Sequence, residues 1–135
     1  MAGGMSTVLC VDDDELVRDI TQTVLARGGY RVLMAAGGEE AVSLLEANQE
    51  GISLVLLDWS LPDTDPGRLV AQLRGLRPSL KILLTSGYSR STVLSRALRR
   101  EVDGFLAKPY FPKQLVRRVE NVLSGHSKHL RKSAV

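Results

Sequence analysis

Four apolar stretches of this chain each stop at residues equipped for chemistry. Residues 7–11 run into Asp12, Asp13, Asp14 and Glu15, and residues 52–57 run into Asp58. Residues 81–84 lead to Thr85-Ser86-Gly87, and residues 104–107 lead to Lys108-Pro109. Together these ends offer carboxylates, a hydroxyl and an ammonium. An Asp carboxylate is a competent covalent nucleophile toward phosphorus. Phosphoryl transfer asks a protein mainly for positioning and charge stabilisation. On that chemistry Asp58 is the candidate phosphate acceptor. Ser86 is a donor to a phosphoryl oxygen, and Lys108 is the balancing cation. Each residue alone also has a plainer reading. Asp58 and Ser86 could be turn or cap residues, and Asp12 to Glu15 could simply complement a helix dipole. Lys108 could be a solvated loop residue.

The elements that must position these residues follow from periodicity. Apolar runs at 7–11, 30–34, 52–58, 81–85 and 104–107 read as strands buried on both faces. Between them, apolar residues recur at helical spacing: Leu16, Val17, Ile20, Val24 and Leu25; Ala41, Val42, Leu44 and Leu45; Leu69, Val70, Leu73 and Leu76; Val93, Leu94, Ala97 and Leu98. A last helix starts near Pro112 and carries Leu115, Val116, Val119, Val122 and Leu123. Gly28-Gly29 and Gly125 mark helix ends, and Pro66 suits a first helical turn. Five strands alternating with five helices predict an α/β fold, a doubly wound five-stranded parallel sheet with right-handed crossovers. The common order for five strands is 2-1-3-4-5, with its switch point between the first and third strands. That order sets Asp12 and Asp13 beside Asp58 and brings Ser86 and Lys108 to the same edge.

Carboxylates so placed repel, at about 4 kcal/mol per pair for ~4 Å and an effective dielectric of ~20. Raised carboxylate pKa values, the lysine or a divalent metal would each neutralise them. Oxygen ligands with positions left for water and phosphate suit Mg²⁺.

At 135 residues, 44% hydrophobic and 24% charged, the chain is the size and composition of one globular domain. No apolar run approaches the ~20 residues of a membrane span, and residues 1–6 lack the pattern of a secretory signal. Cys10 is the single cysteine and lies in an apolar run, so a cytoplasmic location is the default expectation. The net charge of +3 is matched by Lys128, Arg131 and Lys132 in the last ten residues. The remainder is neutral, which argues against a nucleic-acid footprint.

Val11-Asp12-Asp13, Asp58 followed by Leu61-Pro62, Thr85-Ser86-Gly87 and 105–109 (Phe-Leu-Ala-Lys-Pro) together resemble the receiver domain of two-component response regulators. The resemblance implies a flavodoxin-like fold for the receiver at 6–124; residues 1–5 are then an N-terminal extension, and 125–135 read as a basic tail with little reason to be ordered. It implies that Asp58 takes a phosphoryl group from a phosphohistidine on a partner. It further implies Mg²⁺ held by Asp13, Asp58 and the main-chain carbonyl of Ser60, with Asp12 acting partly through water. Lys108 would pair with the aspartyl phosphate, Ser86 would be the switch hydroxyl and Phe105 the switch aromatic. Ser60 and Tyr88 would tune dephosphorylation, and the Lys108-Pro109 bond would be cis. One departure stands out. A glycine is usual eight residues after the acceptor, and here that position is Pro66, with Gly67 one later.

The resemblance makes the chain a signalling module rather than an enzyme. Its partners would be a sensor histidine kinase or histidine phosphotransfer protein, and a downstream protein. The latter would bind the fourth helix, fifth strand and last helix, near Arg90, Arg96, Arg99, Arg100, Arg117 and Arg118. A monomer or a phosphorylation-dependent dimer is expected, with no direct contact to nucleic acid or membrane. Two rivals stay open. An aspartyl-phosphate phosphatase needs an acid two residues after the nucleophile, where this chain has Ser60. A receiver that no longer takes phosphate would be expected to lack part of the set Asp13, Asp58, Ser86 and Lys108. His126 and His129 lack further ligands and read as solvated. No output domain is expected after residue 124, so the chain is either a stand-alone regulator or a receiver cut from a longer protein.

Overall fold

A computed structural model of the chain describes residues 6–48, 51–62, 64–87 and 100–125. Its order is β1 (Thr7–Val11), α1 (Glu15–Arg27), β2 (Arg31–Ala35), α2 (Gly38–Ala47), β3 (Ile52–Asp58), α3 (Pro66–Leu76), β4 (Lys81–Gly87), β5 (Gly104–Lys108) and α4 (Pro112–Ser124). The five strands form one parallel sheet in the order β2-β1-β3-β4-β5. This is the expected flavodoxin-like arrangement. Four helices fall within the described residues; the helix expected around Val93 to Leu98 lies outside them, as do residues 1–5 and the tail from His126 on.

β3 runs through the middle of the sheet because, apart from half-buried Ser53, it is apolar until Asp58. Ile52, Leu54, Val55 and Leu57 are fully buried, each contributing roughly 1.5–3 kcal/mol by burial. Alternation divides the core in two. Val55 and Leu57 face the layer holding Ala41, Leu45, Leu69 and Leu73 from α2 and α3. Leu54 and Leu56 face Leu25, Leu115, Val119 and Val122 from α1 and α4.

Helix ends follow their local chemistry. Asp14 caps α1, accepting from the amides of Leu16 and Val17. Asp65 caps α3 through the amide of Gly67, and Pro66 takes the first helical position. The proline that departs from the family pattern thus starts a helix it is suited to start. Gly125 closes α4 in the left-handed region at φ 83°.

Helical spacing alone does not tell which of the apolar residues of α1 meet the core. Leu16 and Ile20 are 66% and 54% exposed, while Thr21 and Leu25 are buried. Thr21 and Leu25, four apart, share the face turned to the sheet, and Leu16 and Ile20 turn outward.

Candidate functional site

The register of the sheet delivers four strand ends to one edge. Val11 is level with Leu57, Asp58 with Thr85, and Gly87 with Lys108. Each chain therefore leaves the sheet where its first reactive residue stands. The amide of Asp12 still bonds the carbonyl of Ala35 on β2 at 3.1 Å, and the amide of Trp59 bonds that of Thr85 at 2.7 Å. These two bonds extend the ladder one residue past the strands and fix the bases of Asp12 and Asp58.

Carboxylate oxygens of Asp12, Asp13 and Asp58 lie within 4.8 Å of one another. Asp12 and Asp58 are buried, and Asp13 is exposed. Lys108 reaches across from β5, with Nζ 3.2 Å from Asp12 Oδ2 and 3.7 Å from Asp58 Oδ1. Asp12 Oδ1 accepts from the Asp14 amide at 3.0 Å. Asp58 Oδ1 accepts from both the amide and the hydroxyl of Ser60, each at 3.1 Å.

Burial raises the Asp12 carboxyl above the usual carboxylate range, against the pull of the Asp14 amide and Lys108. Burial works against the charge on Lys108, but the carboxylates of Asp58 and then Asp12 outweigh it and raise the ammonium. The lysine therefore stays protonated. One cation facing three acids leaves the pocket electronegative, and oxygen donors so close together fit a hard divalent ion such as Mg²⁺.

Of the other expected site residues, Ser86 is buried at the end of β4, its hydroxyl donating to the carbonyl of Gly87 at 3.0 Å rather than to Asp58. Phe105 is partly buried against the α2–α3 side of the core, and its carbonyl accepts from Arg118. The Lys108-Pro109 peptide is cis. Tyr88 lies outside the described residues. Two contacts were not anticipated. The Ser60 hydroxyl touches the candidate acceptor directly, whereas expectation concerned its carbonyl. Arg18 donates to the main-chain carbonyl of Asp12 at 2.7 Å. Its one sequence signal is a cation in the second turn of the helix that follows the acids.

A doubly wound parallel sheet with an acid pocket at its switch point, faced by a lysine, defines a class of α/β proteins that handle ligands at the carboxyl edge. Within that class, the response regulator receiver domain family matches residues 8–120, and the chain belongs to it. The family is one of two-component signalling modules rather than of classical enzymes. The chain is 33% identical over 120 residues to the sensor kinase CckA of Brucella abortus, covering 89% of this chain and 13% of the kinase. It is 28% identical over 125 residues to the response regulator SaeR of Staphylococcus aureus, covering 93% of this chain and 54% of that protein. The chain thus spans about half or less of the length of these relatives. A solved receiver domain protein from Methanospirillum hungatei, described as CheY-like, superimposes with a TM-score of 0.75 at 30% identity, covering 93% of this chain and 98% of that one.

Proposed function

We propose that this receiver takes a phosphoryl group on Asp58 from a phosphohistidine of a sensor histidine kinase or histidine phosphotransfer protein. A carboxylate oxygen of Asp58 attacks phosphorus, the phosphorus–nitrogen bond breaks, and the imidazole leaves with the bonding pair and takes up a proton. Asp13, Asp58 and the carbonyl of Ser60 would hold Mg²⁺, with Asp12 acting through water. The ion, when bound, neutralises charge on the transferring group. Lys108 pairs with the aspartyl phosphate, exchanging part of its hold on Asp12. Ser86 rotates from the Gly87 carbonyl toward a phosphoryl oxygen, and Phe105 follows inward. Ser60, whose hydroxyl already contacts the acceptor, tunes dephosphorylation together with Tyr88.

The observation that carries this reading is the Lys108 ammonium set between two buried carboxylates at the switch point. A surface beside the pocket suits the approach of a donor protein. Leu16, Ile20 and Phe111 are the large apolar side chains that stand exposed among the described residues. The first two lie on α1 and Phe111 caps α4. Between these helices runs a groove of about 520 Å³ with Val17, Val24, Tyr110 and Leu115 on its walls and Lys108 at its pocket end. An exposed apolar patch of this kind is a mark of protein contact. The downstream partner would use the face of β5, α4 and the preceding helix, and phosphorylation shifts that face between two states. The test is the intact mass of the chain after exposure to a small phosphodonor with Mg²⁺, with Asp58→Asn alongside.

A further inference from the structure

We propose that Arg18 is a positioning residue for the acid pocket. It fixes the main chain from Asp12 to Asp14 and so sets where Asp13 presents its carboxylate. The inference rests on the reading of the pocket as a Mg²⁺ site.

The Arg18 side chain ties the turn back to its start: Nη1 reaches six residues to the carbonyl of Asp12 at 2.7 Å. The main-chain amide of the same residue makes the ordinary helical bond to the carbonyl of Asp14 at 3.0 Å. The Asp12 carboxylate is held at one oxygen by the Asp14 amide and at the other by Lys108. With Arg18 on the carbonyl, every oxygen of Asp12 has a protein donor. Asp13 stands between these two held neighbours, exposed, and its carboxylate accepts no hydrogen bond among the described residues. It is the free ligand of the cluster, and its place depends on the backbone on either side. Guanidinium suits the task. It keeps its charge and donates along fixed directions, so little freedom is lost in holding a carbonyl.

Arg18 acts on a bound cation in two opposing ways. Its charge repels the ion, but Arg18 is partly exposed and water and salt screen that effect. Its grip preorganises the ligands, and losing such outer partners typically costs about 10- to 100-fold in metal affinity. Positioning therefore wins, and removing the arginine weakens binding even though it makes the pocket more negative.

The experiment is a Mg²⁺ titration of wild type, Arg18→Gln and Arg18→Lys, followed by fluorescence of Trp59. This is the chain's single tryptophan and the neighbour of Asp58. Arg18→Gln should bind about 10- to 100-fold more weakly, and Arg18→Lys should recover part of the loss, since an ammonium can still donate to the carbonyl. Thermal unfolding in chelator checks that both variants fold. Arg18→Gln affinity equal to or tighter than wild type overturns the proposal. Should Arg18→Gln not fold, hydrogen exchange decides in Arg18→Met, which keeps an unbranched side chain but has no donor: faster exchange of the Asp14 amide supports the grip, and an unchanged rate overturns it. Wild type that binds no Mg²⁺ overturns the metal reading itself, and does so before any variant is measured.

Discussion

Lys108 and Asp12, ninety-six residues apart, form an ion pair of 3.2 Å across the switch point of the sheet, and the same ammonium lies 3.7 Å from Asp58. The cation from β5 is thus the protein's own neutraliser for acids supplied by β1 and β3. Asp12 is the closer of the two, and Lys108 is a short shift from an equally close pair with Asp58.

Truncating that lysine leaves the acids facing one another. Lys108→Ala should lose about 1–3 kcal/mol of stability at neutral pH without divalent ions, the scale of a polar group deprived of its partner. Mg²⁺ should stabilise the variant more than it stabilises wild type. The pH dependence has a definite sign. The Asp12 carboxyl is raised in the folded state, so its contribution is favourable at low pH and is lost as pH rises through its folded pKa. The deficit of Lys108→Ala should therefore shrink as pH falls from neutral toward the carboxylate range, as read from urea midpoints with chelator present.

Asp13 is exposed and its carboxylate accepts no hydrogen bond among the described residues, so its replacement separates metal binding from folding. Without divalent ions Asp13→Asn should be at least as stable as wild type, because it relieves repulsion from Asp12 and Asp58. Its Mg²⁺ affinity, followed by Trp59 fluorescence, should fall by at least about tenfold, the scale of a lost ligand or ligand support. Equal affinity in the two proteins would remove Asp13 from the ligand set.

Alkaline pH should erode the fold from one direction. Burial pushes the Cys10 thiol up from 9.0 to about 12, and burial also raises Tyr30 and Tyr110. Lys108 is raised because its two carboxylates outweigh the effect of burial. In each case the folded chain keeps a proton that the unfolded chain releases. Stability is therefore full below the unfolded pKa values and falls as pH climbs from about 9 toward 12. Urea midpoints should be level between pH 7 and 8.5 and drop by pH 10.5, with a shallower drop in Cys10→Ala. The thiol should also resist alkylation at pH 8 until the chain is unfolded.

Gly38 opens α2 where the loop after β3 passes over it. A Cβ there would sit 3.1 Å from Cγ2 and Oγ1 of Thr64 and 3.3 Å from Cδ2 of Leu69. Gly38→Ala should cost roughly 1 kcal/mol through overpacking, and Gly38→Ala with Thr64→Ser should recover part of it. A variant more stable than wild type would show that the loop yields freely.

Much of this site was legible because a parallel sheet collects its strand ends. Each reactive residue marks the point where an apolar run turns polar, so Asp12, Asp58, Ser86 and Lys108 could be placed from periodicity and strand order alone. The rest depends on distances that sequence spacing does not carry. The outward turn of Leu16 and Ile20 goes with the burial of Thr21 and Leu25 on the opposite side of the helix. The reach of Arg18 to Asp12 depends on a flexible side chain folding back along its own helix. The Ser60 hydroxyl contact needs the tight turn after Asp58. The order β1 to β3 was foreseen, but not the register shift between Thr7 and Val8, which leaves Ser53 of β3 without a partner level with it on β1. The loop from Pro62 to Gly67 was the uncertain part, and it resolves through Asp65 as cap and Pro66 as first helical residue; Asp63 lies outside the described residues.

The central claim is that Asp58 is the phosphate acceptor, and mass spectrometry of the intact chain reads it directly. After incubation with a small phosphodonor and Mg²⁺, wild type should gain the mass of one phosphoryl group. The gain should vanish with chelator, with alkaline hydroxylamine and in Asp58→Asn. An Asp58→Asn chain that gains the same mass under the same conditions would contradict the account.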